Sequence, residues 1–160
     1  MRVLGVSVNS RIVSTAIVED KALIDYQNRL YSERWSPMKA KKIVFLIKYS
    51  IKYCAITNIA LAIPYAHYQN KETKTLITLI KTECQKKNVP ISCYSPEAFG
   101  CLYEKTKANK KALMSALAER YPELGYIRKK ELRNKREYYH KVFTAVASAL
   151  LCNIEHSRNQ

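Results

Sequence analysis

RVLGVSVNSRIVSTAIV, residues 2–18, sets the frame for the rest of the chain. Two β-branched runs, Val3 to Val8 and Ile12 to Val18, flank a polar break at Asn9-Ser10-Arg11. Side chains alternate across a strand, so Val3, Gly5 and Ser7 share one face and Leu4, Val6 and Val8 the other. Both faces are apolar or small, which predicts a hairpin in the middle of a sheet covered on both sides. Ser7 stands at the end of the first strand, where sheet proteins commonly place their chemistry.

The 160 residues fit one domain, residues 1–160, with enough chain to bury a core unaided. Nearly half the residues are hydrophobic (48%), and only three glycines and five prolines interrupt them, which argues against long disordered segments. No run reaches the roughly 18–20 apolar residues of a membrane span, so no membrane partner is expected. MRVLGV at the start reads as a strand and not as a signal peptide. Five widely spaced cysteines, an odd number without a C-x-x-C pair, fit small buried hydrophobes in a reducing cytoplasm better than zinc or a disulfide framework. The charge is the loudest signal: 28 Lys and Arg against 13 Asp and Glu give +15. Such an excess points to a polyanion, most often nucleic acid. A generally lysine-rich composition is the blander source, and clustering separates the two.

After the hairpin, Glu19-Asp20-Lys21 predicts a tight turn and Ala22 to Tyr31 a third antiparallel strand. Ser36-Pro37 is a helix start, a hydroxyl N-cap followed by proline at the first helical position. That helix is expected to reach about Cys54, with Ile43, Leu46, Ile47, Ser50, Ile51 and Cys54 inward and Lys39, Lys41, Lys42, Lys48 and Lys52 on a solvated face. Asn58 to Ile63 is a short apolar run ended by Pro64, a buried strand parallel to the first. A helix over roughly Lys71 to Lys87 and a fifth strand over Val89 to Tyr94 follow. Ser95-Pro96-Glu97 opens a short helix, and Asn109 can cap another that ends before Pro122 to Gly125. The basic run Arg128 to Arg136 then leads into a last helix, Glu137 to about Ile154. The order β-β-β-α-β-α-β-α predicts an α/β fold with a mixed five-stranded sheet and helices on both faces. The absence of a glycine-rich turn after the first strand excludes a doubly wound dinucleotide fold.

This order is the topology of the ribonuclease H-like fold, and the chain resembles Holliday-junction resolvases of the RuvC type. VLGVSVNSRIVSTAIV resembles that family's first hairpin, IALAIPYAHYQN its fourth strand and following loop, and EYYHKVFTAVASALL its terminal helix. The resemblance implies phosphodiester hydrolysis by two Mg²⁺ ions held by carboxylates, and a homodimer. It places the carboxylate positions on Ser7, Pro64, Glu137 and His140, and two of these four carry no ligand of that kind. No other acidic residue falls at the tips of the first or fourth strand, so the expected site is a degenerate pocket without metal and without a cofactor. Glu137 and His140, read as one helical turn apart, share a face. A remnant metal or proton-transfer pair is the sharper reading of them, and a helix-end Glu beside a surface His the blander one.

Three groups are candidates for nucleic-acid contact. Tyr65, His67 and Tyr68 follow the fourth strand and suit stacking on unpaired bases, or equally an aromatic loop packed on the sheet edge. Lys105, Lys107, Lys110 and Lys111 gather at a helix start, where cations oppose the macrodipole and helix stability does not account for them. Arg128, Lys129, Lys130, Arg133, Lys135 and Arg136 form the densest run, six basic residues in nine, beside the old active-site helix. The expected function is binding of branched or single-stranded DNA without cutting it. The alternatives are a structure-specific endonuclease using displaced ligands, with Mg²⁺, and a non-enzymatic scaffold for dimerisation or for a protein partner.

Overall fold

The computed structural model describes residues 1–103 and 109–160. Strands β1 (Arg2–Val8), β2 (Ile12–Glu19) and β3 (Ala22–Leu30) form an antiparallel meander. Helix α1 (Pro37–Tyr53), β4 (Asn58–Ala62), α2 (Lys71–Lys86) and β5 (Ile91–Tyr94) follow, and then α3 (Lys110–Arg120), α4 (Gly125–Arg133) and α5 (His140–Arg158). The sheet order is β3-β2-β1-β4-β5, with β4 parallel to β1 and β5 parallel to β4.

Local chemistry explains the connections. The Asn9 side-chain oxygen accepts from the backbone N–H of Arg11 and Ile12, at 2.8 and 2.7 Å, which closes the first hairpin as an Asx turn. Asp20 and Lys21 both have positive φ, 49° and 68°, the geometry a two-residue hairpin turn needs to match strand twist. Ser36, Asn70 and Asn109 each accept from the N–H three residues on, so α1, α2 and α3 begin at side-chain N-caps.

The strand alternation predicted from sequence holds. Leu4, Val6 and Val8 join Ile59 and Leu61 under α1 and α2, against Ile43, Ile47, Leu76 and Ile80. Val3, Ala60 and Ala62 face α5, against Val142, Phe143, Val146 and Leu150. The alanine-rich stretch of α5 lets it lie close over β1. A Cβ on Gly5 would stand 1.9 Å from the Ala145 carbonyl oxygen, so only glycine fits there.

Three expectations are corrected. Lys39 is buried, not solvated: its ammonium donates to the carbonyls of Tyr31 and Glu33 at 3.0 and 2.8 Å, tying the β3–α1 connection to the helix. Arg128 to Arg133 belongs to a separate helix, α4, and is not a lead-in to the last one. The last helix begins at His140, so Glu137 precedes it and does not share a helical face with His140. The cause is a long-range cap. The buried Glu131 carboxylate of α4 accepts from the N–H groups of Tyr138, Tyr139 and His140, at 2.8–3.2 Å, and holds the chain in a bend until α5 can start.

Candidate functional site: a cationic pocket at the strand tips

Parallel pairing of β1 with β4 and of β4 with β5 brings three strand ends to one edge of the sheet, where open α/β sheets hold ligands. α5 crosses that edge on one face. Between them lies a cavity of about 540 Å³ lined by Ser7, Asn9, Pro64, Tyr65, Tyr68, Tyr103, Lys110, Glu137, His140, Lys141 and Thr144, among others. All four positions expected at the pocket, Ser7, Pro64, Glu137 and His140, line it.

The nearest partner of Ser7 is one that sequence reasoning missed. Thr144 Oγ1 donates to Ser7 Oγ at 2.8 Å, one turn into α5. Lys141, one turn before Thr144, also faces the cavity. A Lys and a Thr three residues apart, four and seven residues after Glu137, are the signal that the sequence carries for them.

The electrostatics of the pocket are cationic. Lys110 is ion-paired with Glu137 across the mouth. Among the described residues no carboxylate pairs with Lys141. Burial, and behind it the charge of Lys110, draws the Lys141 ammonium down to about 8. Burial together with Lys110 and Lys141 holds His140 down at about 4, so its imidazole is neutral. His140 Nδ1 is buried and has no hydrogen-bond partner among the described residues.

This donor set does not fit a pair of Mg²⁺ ions. Magnesium demands hard anionic oxygen, and the floor offers two hydroxyls, a proline and an ammonium. Among the described residues Glu137 is the one carboxylate lining the cavity, and it is engaged by Lys110. Among the described residues no three His, Cys, Asp or Glu side chains gather in a metal-binding group.

Of the aromatic residues after β4, Tyr65 and Tyr68 line the pocket, and His67 packs against both rings. Tyr65 and His67 stack with ring centroids 5.6 Å apart, and His67 and Tyr68 stand 4.2 Å apart. Tyr68 is 71% exposed, an outward ring at the mouth. Of the first lysine cluster, Lys110 lines the pocket and Lys111 is exposed at the start of α3, while Lys105 and Lys107 lie outside the described residues. The second cluster divides. Arg128 is packed inward, its Nη2 donating to Ser115 Oγ at 3.0 Å. Lys130 lies over the Tyr126 ring, 4.5 Å from its centroid. Lys129, Arg133, Lys135 and Arg136 are exposed and engage in no ion pair among the described residues. They run along the chain directly into Glu137 and the pocket mouth.

Sheet order, crossovers and the covering α5 define a ribonuclease H-like fold, the class expected from the sequence. Among solved structures, the chain is similar to RuvC of T. thermophilus in complex with Holliday junction substrate, with a TM-score of 0.76. The two are 14% identical, and the likeness covers 99% of this chain and 96% of that one. A second Thermus thermophilus RuvC structure gives a TM-score of 0.74 at 15% identity, over 99% and 97% of the two chains. At this identity the likeness establishes the fold. No family model matches the sequence, and no curated protein matches it.

Proposed function

We propose that this protein binds nucleic acid, branched or single-stranded DNA, at the strand-tip pocket and along the adjoining α4–α5 connection, without cleaving it. The observation that carries this reading is the pocket itself, which keeps its place in a resolvase fold while Ser7 and Pro64 stand at two of the positions where hydrolysis would need carboxylates and Lys110 and Lys141 face the cavity. Exposed cations leading to its mouth supply the sequence-independent attraction to phosphate, and Tyr65, His67 and Tyr68 at the rim suit stacking on unpaired bases. The test is a pair of assays on the same preparation. Labelled four-way junctions and single strands bind at about 50 mM salt, and neither is cut with Mg²⁺ or Mn²⁺. Multiple-turnover cleavage abolished by Glu137→Ala restores the alternative, a structure-specific endonuclease.

A second reading, self-association, is favoured by one feature. The outer face of α1 exposes Met38, Phe45, Tyr49 and Tyr53, and the last three form a ladder with ring centroids 6.5 and 4.7 Å apart. An apolar helix face of this kind suits a homodimer contact, and it lies away from the strand-tip pocket, so the two readings are compatible.

A further inference from the structure

The pocket holds more positive charge than its own residues answer. Lys110 and Lys141 both face it, and the one carboxylate lining it among the described residues, Glu137, is committed to Lys110. Lys141 is left half-buried, drawn out of water by the fold and given no carboxylate partner among the described residues. A structure that desolvates an ammonium without pairing it leaves a standing attraction for an external anion.

Ser7 adds a directed donor. It is 3% exposed, and its oxygen accepts from Thr144. Thr144 has one hydroxyl proton and two acceptors in reach, Ser7 Oγ at 2.8 Å and the Lys141 carbonyl at 3.0 Å; in the arrangement that gives it to Ser7, the Ser7 O–H is free to donate into the cavity that Ser7 lines. A buried hydroxyl and a half-buried ammonium thus converge on one space. An anion with several oxygens satisfies both at once, and a phosphate presents that geometry.

We propose that the strand-tip pocket is a metal-independent phosphate seat, in which the Lys141 ammonium, assisted by Lys110 at the mouth and by the Ser7–Thr144 hydroxyl pair at the floor, holds a backbone phosphodiester of the bound nucleic acid. The proposal rests on the nucleic-acid reading and deepens it by naming the group the pocket takes. Lys141 supplies the fixed positive charge at the strand tips. The seat is proposed as a binding site, and holding the phosphodiester there breaks none of its bonds.

The experiment uses the full chain with EDTA present, and inorganic phosphate as the probe. With ionic strength held constant by sodium chloride, phosphate is titrated against isotope-labelled protein while the Lys141 Cε and Thr144 methyl resonances are followed. Saturating shifts at both positions, with the Thr144 shift lost in Lys141→Gln, support the seat. A linear drift shared with exposed Lys129 overturns it and leaves an adventitious ion only. In parallel, Lys141→Gln is expected to weaken binding of a labelled DNA single strand about tenfold, while Lys141→Arg stays within about threefold of the wild type. A melting temperature in Lys141→Gln no lower than that of the wild type separates this from misfolding. Wild-type affinity that rises tenfold with Mg²⁺ at constant ionic strength, and is indifferent to Lys141→Gln, overturns the seat but not nucleic-acid binding. Saturable phosphate shifts without any binding of DNA overturn the nucleic-acid reading and leave the seat standing.

Discussion

Gly5 and Lys141 are opposite cases of what one residue decides. Gly5 is required by close approach: its missing Cβ is the space in which the α5 backbone lies against β1, and any side chain meets the Ala145 carbonyl. Gly5→Ala is expected to destabilise the protein by about 3 kcal/mol, at the upper end of overpacking costs because the obstacle is backbone and cannot rotate away; denaturant titration measures it. Lys141 is instead held against its own preference. The charged and titratable groups facing it are Lys110, Glu137, His140 and the phenols of Tyr65, Tyr68 and Tyr103. Its pKa falls from 10.5 to about 8, so between those values the unfolded chain keeps a proton that the fold gives up. The destabilisation therefore grows as pH falls through that window and is complete below about 8. Lys141→Met should raise the melting temperature at pH 7 and leave it unchanged near pH 11, by calorimetry. DNA affinity should run the other way, level below pH 8 and falling above it as the free protein loses the ammonium that the complex uses. A level profile from pH 7 to 10 would show that Lys141 carries no part of binding.

At the scale of elements, what was legible in the sequence followed from local rules. Ser36, Asn109 and the Asn9 turn are short-range devices, and each appears where its residues predict. The alternation of β1 and the apolar run of β4 suffice to put Ser7 and Pro64 at the strand tips. The start of α5 was not legible, because nothing local sets it. Its cap is Glu131, on another helix, a lone acid inside a basic run that composition alone reads as background. A start at Glu137 puts that carboxylate on the helix, and nothing in the residue types of Lys141 and Thr144 marks them as pocket residues. Glu131→Ala tests the account directly. Losing a charge-assisted cap to three N–H groups is expected to cost about 2 kcal/mol, and hydrogen exchange should quicken first at Tyr138 to His140. Arg128 likewise could not be told from its neighbours by sequence. Its contact with Ser115 makes it a strut between α3 and α4, so a charge-removal series belongs on Lys129, Arg133, Lys135 and Arg136. If these four meet phosphates, their replacement by Gln should flatten the log–log salt dependence of DNA binding by about 3, with little effect on stability.

Over the whole molecule, +15 charges act on every encounter, and they act in opposite directions on the two associations open to this chain. Nucleic-acid binding releases counterions, so it weakens steeply as salt rises. A homodimer through the α1 face would bury Phe45, Tyr49 and Tyr53 but would bring two cationic bodies together, with Lys41, Lys48 and Lys52 on the same helix. Screening removes the repulsion while leaving apolar burial intact, since the Debye length shrinks from about 14 Å at 50 mM to about 4 Å at 0.5 M. Light scattering across that range should therefore show the dimer fraction growing with salt while DNA affinity collapses. Phe45→Glu with Tyr49→Glu should abolish the dimer at every salt concentration, because a carboxylate in an apolar contact is left without a partner. The same pair leaves the strand-tip pocket untouched, so a single-strand probe should still bind. A protein that stays monomeric at 0.5 M salt has no such contact on α1, and its aromatic row then serves no second copy of the chain.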